Sequence, residues 1–155
     1  MISIFVYGTL KQGYWNHERF CKTAVSIEPA WVWGRLYHLP AGYPGLEIPE
    51  ASILASGTRN PLVDERVQNS TLVPPAALDK PKGDWDKIRG ELITFAKPEL
   101  DLPPIDRLEG FNPGGWCLYE RVLVLVAVNN KVKPVWLYRY NLPHDGNRVG
   151  SGCWA

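Results

Sequence analysis

Short runs of β-branched and aromatic residues, separated by turn residues, dominate the hydrophobic pattern of this chain. Runs of five to ten residues with this composition are typical of strands and too short for most helices. Five such runs occur, at residues 2–6, 30–39, 88–95, 119–128 and 135–140. Asn129-Asn130-Lys131 separates the last two and predicts a hairpin turn. The pattern therefore predicts at least five strands.

Helical signals are few and short. Residues 16–20 follow a Lys11-Gln12-Gly13 turn and could form a short helix. Residues 105–110 have prolines before them and Gly110 at their end, an asymmetry that predicts a single helical turn. Residues 40–45 are rich in proline and glycine and should be irregular.

The periodicity is lost between residues 51 and 85, where glycine and proline recur. We expect a long surface insertion, because structureless loops of this length are unusual inside a compact domain. Such a segment can be a lid over a site, a docking segment for a partner, or a solvated insertion with no function.

Composition supports a strand-rich α+β protein. The 155 residues are enough for a single domain, so we expect one domain over residues 1–155 with the insertion at about 51–85. Fourteen glycines and fourteen prolines leave little room for long helices, and the aromatic content (Trp 7, Tyr 7, Phe 4) favours strands.

Charge and targeting signals exclude several classes of partner. Seventeen basic and sixteen acidic residues give a net charge of +1, which offers no electrostatic support for nucleic acid or an anionic membrane. The longest apolar run, residues 122–128, is far shorter than the roughly 20 residues that span a bilayer. Residues 1–10 lack the features of a signal peptide. Three scattered cysteines, Cys21, Cys117 and Cys153, suit a reducing compartment, so we expect a cytoplasmic protein in which they are small apolar fillers.

The sequence lacks the usual motifs of cofactor and nucleophile chemistry. It contains no glycine-rich phosphate loop and no Gly-x-Ser-x-Gly motif. His17, His38 and His144 are too dispersed for a zinc motif and are better explained as solvated or core histidines. We therefore expect no cofactor and no metal, and any catalysis must use carboxylates and backbone groups.

The loop after the first strand is a candidate binding element. It reads Tyr7-Gly8-Thr9-Leu10, and a glycine at this point lets the backbone turn sharply and lets a ligand approach the following amides. Successive free N–H groups form a site for a carboxylate or an oxyanion. Taken alone, however, the tetrapeptide is better explained as a plain strand-ending turn.

This loop is the first of several short motifs that occur in a characteristic order. The motifs are Phe5-Val6-Tyr7-Gly8-Thr9-Leu10-Lys11-x-Gly13, Gly34-Arg35-Leu36-Tyr37, Tyr43-Pro44-Gly45, Asp106-Arg107-Leu108-Glu109-Gly110 and Tyr119-Glu120-Arg121. In this order they resemble the gamma-glutamyl cyclotransferase-like superfamily, which includes the gamma-glutamylamine cyclotransferases and the plant avirulence-induced-gene proteins. The resemblance covers nearly the whole chain apart from residues 51–85.

The resemblance implies a fold, an activity and site residues. The implied fold is a small mixed or antiparallel β-barrel with short flanking helices and a cavity at one end. The implied reaction converts a small-molecule gamma-glutamyl amine or peptide to 5-oxoproline and releases the amine. By motif position Glu109 is the general acid and base, Tyr7, Gly8, Thr9 and Leu10 hold the glutamyl group and the oxyanion, and Tyr7 or Tyr119 can supply a hydroxyl donor.

Alternatives remain at the level of residues and of function. Glu91 and Glu120 are rival carboxylates, better explained as solvated or ion-paired strand residues. Arg121 is better explained as a structural partner of a carboxylate than as a substrate clamp. Residues 111–118 are longer and richer in glycine than the resemblance leads us to expect, which leaves the identity of the leaving amine open. The same fold could also be a non-catalytic barrel that binds a small ligand or a protein, and the oligomeric state is left open.

Overall fold

Five strands close into a mixed β-barrel in the computed structural model, which describes residues 1–75 and 77–154. The strands, numbered in chain order, are β1 (Ile2–Val6), β2 (Ala24–His38), β3 (Pro44–Glu47), β4 (Ala55–Ser56), β5 (Asp86–Phe95), β6 (Glu120–Val128), β7 (Lys131–Arg139) and β8 (Asn147–Arg148). The barrel runs β2-β5-β1-β7-β6, and β6 pairs back with β2 at Ala30 and Trp31. Every barrel pairing is antiparallel except that between β1 and β7. The predicted α+β barrel is confirmed.

The three short strands extend the barrel rather than close it. Strands β3 and β8 pair with the far end of β2, and β4 pairs with β6. The expectation of irregular structure over residues 40–45 is wrong from Pro44 onward. Pro44 lies opposite His38, and the four residues of β3 form an antiparallel ladder with β2.

In the part of the chain that the structure describes, three α-helices and a short 3-10 helix flank the barrel. They are α1 (Trp15–Phe20), α2 (Pro61–Ser70), α3 (Pro98–Leu108) and the 3-10 helix Glu50–Ser52. The short helix over residues 16–20 is confirmed. The single turn predicted over 105–110 is the end of a longer helix, in which Pro103 and Pro104 are interior. Its buried Leu102 and Ile105 pack into the core and offset part of the cost of the two prolines.

The segment predicted as an irregular surface insertion is ordered over much of its length. Residues 50–70 contain the 3-10 helix, β4 and α2, so the prediction is wrong there. Asn60 caps the start of helix α2, because its side-chain oxygen accepts hydrogen bonds from the amides of Leu62 and Val63, and Pro61 occupies the first turn. Residue 76 of the predicted insertion lies outside the described residues. Whether residues 51–85 are an insertion relative to compact relatives stays a prediction.

Strand β1 is buried on both faces and ends at the candidate site. Phe5 faces the barrel interior, whereas Ile2 and Ile4 face the layer between the barrel and the helices, which also contains Leu102 and Ile105 of α3. Double burial explains why β1 is a nearly continuous apolar run. The loop that follows β1 therefore emerges beside the end of α3. None of the helices in the described chain is long and apolar enough to cross a membrane.

Candidate functional site

A cavity of about 200 Å³ lies where the loop after β1 meets the end of α3 and the start of β6. All six residues predicted for the site lie in its wall, namely Glu109, Tyr7, Gly8, Thr9, Leu10 and Tyr119. The remaining lining residues, which sequence reasoning did not assign to the site, are Val6, Asn16, Tyr43, Pro44, Leu108, Leu118 and Tyr138. Of the described residues that line this cavity, Glu109 is the only charged one.

The end of α3 fixes the position of Glu109. Glu109 is the C-cap residue, and Gly110 follows with a φ of +66°, a conformation that favours glycine. The Gly110 amide donates to the Arg107 carbonyl, and the Phe111 amide donates to the Asp106 carbonyl over 2.9 Å. The Tyr119 amide then donates to the Glu109 carbonyl, so the backbone of Glu109 is held from both sides. The chain reversal that ends the helix thus sets this carboxyl group at the cavity wall.

The surroundings of the Glu109 carboxyl disfavour its charged form. Burial, and then the neighbouring negative charge of Asp106, raise the pKa of Glu109 from 4.5 to about 7. The carboxyl also lies at the negative end of the α3 dipole, which acts in the same direction. No donor in the described part of the chain forms a hydrogen bond with this side chain. Glu109 can therefore exchange a proton with a ligand near neutral pH.

A buried ion-pair cluster lies on the α3 side of the cavity. Arg121 of β6 is fully buried, and its Nε donates to Asp106 Oδ1 over 2.8 Å. Its Nη1 donates to Asp64 Oδ2 of α2 over 2.9 Å, and its Nη2 donates to the Thr58 carbonyl over 3.1 Å. The expectation that Arg121 is a structural partner of carboxylates is confirmed. Two carboxylates share one guanidinium, so the cluster keeps negative charge beside Glu109.

Three tyrosine hydroxyl groups near the cavity already donate to protein acceptors. The Tyr7 hydroxyl donates to the Tyr138 carbonyl over 2.6 Å, and the Tyr119 hydroxyl donates to the Pro44 carbonyl over 2.5 Å. The Tyr138 hydroxyl donates to Asp106 Oδ1 over 2.5 Å. Burial raises the pKa of Tyr7 and of Tyr119, so both hydroxyl groups keep their protons. In this arrangement neither Tyr7 nor Tyr119 has a hydrogen left for an oxyanion, contrary to the role considered from the sequence.

Unpaired donors are found instead among the backbone amides of the turn Gly8–Lys11, which we call the amide turn. The Lys11 amide closes it on the Gly8 carbonyl over 3.1 Å. Within the described chain, the amides of Gly8, Thr9 and Leu10 have no hydrogen-bond acceptor. A Cβ atom at Gly8 would lie 2.5 Å from Cγ of Pro44, so glycine is required for this close approach. Three unpaired amides at a cavity wall suit an anionic oxygen.

The rival carboxylates predicted from the sequence lie outside the cavity lining. Glu91 accepts a hydrogen bond from the Gln12 amide over 2.7 Å, and Glu120 lies 3.0 Å from Arg139. Both therefore have structural partners, as their ion-paired or solvated interpretation suggested.

The cysteines and histidines lie outside the cavity lining. Cys21 is buried, as expected of an apolar filler, whereas Cys117 is half-buried and Cys153 is exposed, so the filler interpretation is wrong for Cys153. His17 is buried and bonded to a carbonyl, while His38 and His144 are exposed. In residues 1–75 and 77–154, no group of three or more His, Cys, Asp or Glu side chains is placed to hold a metal ion.

Two polar residues near the cavity have weak sequence signals. Asp64 lies in the segment 51–85, where the recurring glycine and proline hide the helical pattern. The Asn60-Pro61 pair is in fact a helix-start signal that could have identified α2. Asn16 was placed on a helix, but nothing in the sequence shows that this helix folds back onto the amide turn.

Comparison with known proteins identifies the family. A sequence model of the family described as "Gamma-glutamyl cyclotransferase, AIG2-like" matches residues 4–63 and 57–155. No curated protein matches the chain.

Solved structures share the fold at low sequence identity. The crystal structure of YkqA from Bacillus subtilis is 21% identical in sequence and matches with a TM-score of 0.59. The match covers 99% of this chain and 39% of YkqA, so this chain spans about two fifths of the length of YkqA. An uncharacterized protein from Pyrococcus horikoshii is 19% identical with a TM-score of 0.50, covering 99% and 89% of the two chains. At these identities the likeness shows the fold alone. On the family match over almost its whole length, the chain belongs to the gamma-glutamyl cyclotransferase, AIG2-like family.

Proposed function

We propose that this protein cyclises a gamma-glutamyl amine or peptide to 5-oxoproline and releases the amine. The observation that carries the proposal is the pairing, in one cavity, of an unpartnered Glu109 carboxyl with the three free amides of the amide turn. A carboxyl that titrates near neutral pH and a set of oxyanion donors are the two groups that this reaction needs.

The bond changes are intramolecular. The α-amino nitrogen of the glutamyl group attacks the γ-carbonyl carbon and closes a five-membered lactam, while the bond from that carbon to the leaving nitrogen breaks. Both reacting atoms belong to one molecule, so the protein mainly has to hold a folded substrate conformation. Holding such a near-attack geometry can contribute roughly 7 to 11 kcal/mol.

Glu109 accounts for the protons. The α-ammonium group must lose a proton before it can attack, and the departing nitrogen must gain one. The ionised Glu109 carboxylate accepts the first proton and, once protonated, donates it to the leaving nitrogen. The second proton that the attacking nitrogen loses, as it becomes the single N–H of the lactam, passes to the solvent. A pKa of about 7 makes both forms accessible at neutral pH, which is the condition for one group to serve as base and then as acid.

The amide turn accounts for the developing negative charge. When the α-amine attacks, the γ-carbonyl oxygen becomes an oxyanion. The amides of Gly8, Thr9 and Leu10 are unpaired within the described chain, so they can donate to that oxygen without breaking a protein hydrogen bond. Preorganised donors of this kind stabilise the transition state more than the substrate.

The test is a turnover assay with a matched pair of variants. Glu109→Gln keeps the shape of the side chain but cannot accept a proton, so we expect 5-oxoproline formation from a panel of gamma-glutamyl amines and dipeptides to fall by about 10² to 10⁴. Glu99→Gln is the control, because Glu99 is an exposed acidic residue on the same helix, and its turnover should equal that of the wild type.

Two results would contradict the proposal. Turnover unchanged by Glu109→Gln would remove Glu109 from the mechanism. If the wild type turned over no compound of the panel but bound 5-oxoproline, the chain would be a non-catalytic ligand-binding barrel.

A further inference from the structure

Helix α1 contacts the amide turn through two consecutive side chains. Asn16 Nδ2 donates to Thr9 Oγ1 over 2.9 Å. His17 is buried, and its Nδ1 lies 2.8 Å from the Leu10 carbonyl oxygen. A carbonyl oxygen only accepts, so Nδ1 of His17 carries the hydrogen. The mechanism described above uses neither residue.

The His17 bond restrains the turn at its exit. The peptide between Leu10 and Lys11 is tied at its nitrogen to the Gly8 carbonyl and at its oxygen to His17. With both ends of that peptide plane held, the backbone angles of Leu10 are restricted. The free amides of Thr9 and Leu10 lie just before the restrained Leu10–Lys11 peptide, so the directions of their N–H bonds depend on that peptide.

The Asn16 bond orients the Thr9 hydroxyl. Since Thr9 Oγ1 accepts from Asn16, its own hydrogen is available for a second acceptor. No acceptor for that hydrogen is found among residues 1–75 and 77–154. Thr9 lines the cavity together with Asn16, so the hydroxyl is a fourth free donor beside the three amides.

We propose that Asn16 and His17 are positioning residues that hold the amide turn as a four-donor site for the oxygen atoms of a carboxylate or an oxyanion. This inference rests on the proposed function for its effect on turnover, but the shape of the turn can be measured without turnover. His17 fixes the backbone of the turn, and Asn16 orients the Thr9 hydroxyl, whose hydrogen stays free to donate.

The first experiment separates hydrogen bonding from packing at position 17. His17→Leu removes the donor, whereas His17→Asn places an amide nitrogen at the same distance along the side chain. We expect His17→Leu to lower kcat/KM roughly 10- to 100-fold, because displacements of about 1 Å at a site have effects of that size. His17→Asn should restore kcat/KM to within about threefold of the wild type. Glu18→Leu, at the next and exposed position of α1, is the control and should leave kcat/KM unchanged.

The second experiment measures the turn directly. In ¹⁵N NMR spectra of the full chain, His17→Leu should shift the amides of residues 8–10 and raise their mobility, while His17→Asn should leave them close to the wild type. If His17→Leu does not fold, the affinity of Asn16→Ala for 5-oxoproline is the test instead. We expect Asn16→Ala to weaken binding of 5-oxoproline about tenfold without lowering the unfolding temperature.

The outcomes distinguish this inference from the proposed function. A wild type that forms no 5-oxoproline contradicts the proposed function. In that case the amide shifts of residues 8–10 still test whether α1 positions the amide turn. The inference is overturned if folded His17→Leu keeps wild-type amide shifts, or if folded His17→Asn behaves like His17→Leu. In the case decided by Asn16→Ala, unchanged affinity for 5-oxoproline overturns it.

Discussion

The Glu109 carboxyl is surrounded by influences that keep its proton bound up to neutral pH. Burial is the largest, the Asp106 carboxylate is the next, and the position at the C-terminal end of α3 adds to both. Arg121 does not fully compensate the negative charge of Asp106, because Arg121 also pairs with Asp64. The same environment that makes Glu109 useful as a proton carrier should therefore destabilise the folded chain when Glu109 is ionised.

This cost predicts a pH-dependent effect of Glu109→Gln on stability. The folded-state pKa of about 7 lies above the ordinary value of 4.5, so the folded state binds the proton more tightly than the unfolded chain. The resulting stabilisation is complete below pH 4.5 and is lost as the pH rises through 7. The variant lacks this titration, so its free energy of unfolding relative to the wild type should increase by roughly 2 to 3 kcal/mol between pH 4 and pH 8.

Urea unfolding at the two pH values checks this expectation. Glu99→Gln serves as the control, because its carboxylate is exposed and its difference from the wild type should vary little with pH. A Glu109→Gln difference that stays constant between pH 4 and pH 8 would show that the pKa of Glu109 is not raised by folding.

At the scale of elements, α2 is tied to the barrel by charge as well as by packing. Asp64 of α2 is 1% exposed and bonds to the fully buried Arg121 of β6. It also accepts hydrogen bonds from the amide and the hydroxyl of Thr58, which lies between β4 and α2. One side chain thus connects α2, the segment before it and the barrel strand that begins beside the cavity.

Loss of this connection should be costly. Asp64→Asn removes one of the two carboxylates that bond to Arg121. Breaking a buried pair typically costs about 3 to 5 kcal/mol, and because Asp106 still compensates the guanidinium we expect the low end of that range. We expect the variant to lose about 3 kcal/mol of unfolding free energy, measured by urea denaturation at pH 7. Glu65→Gln is the matched control on the same helix, because Glu65 pairs with an exposed N-terminus and should cost less than about 1 kcal/mol. Equal losses in the two variants would contradict a structural role for the buried pair.

At the scale of the whole molecule, local signals predicted the strands, whereas barrel closure depends on contacts between distant segments. Strand β1 and the hairpin between β6 and β7 were predicted from β-branched runs, and Asn129 and Asn130 do adopt the positive φ angles of a tight hairpin turn. The pairing of Ala30 with Val128, which closes the barrel, has no local sequence signal. The barrel itself was implied by the resemblance to a family and not by the pattern of residues.

The candidate site shows the same division between local and distant information. The glycine of the amide turn was recognisable from its position after β1, and Glu109 was nominated by its motif. The polar partners near the site were not predictable from local sequence. Asp64 bonds to Arg121, which is 57 positions away along the chain, and His17 bonds to Leu10, which is 7 positions away. Hydrophobic periodicity does not report such polar contacts.

The identity of the reaction product tests the central claim most directly. The wild type should be incubated with a gamma-glutamyl amide that it turns over, in water enriched in ¹⁸O, and the products examined by mass spectrometry. We predict one 5-oxoproline for each amine released, with no ¹⁸O in its ring carbonyl, because the attacking atom is the nitrogen of the substrate itself. Free glutamate carrying ¹⁸O as the primary product would show that water is the nucleophile and would contradict cyclisation at Glu109 and the amide turn.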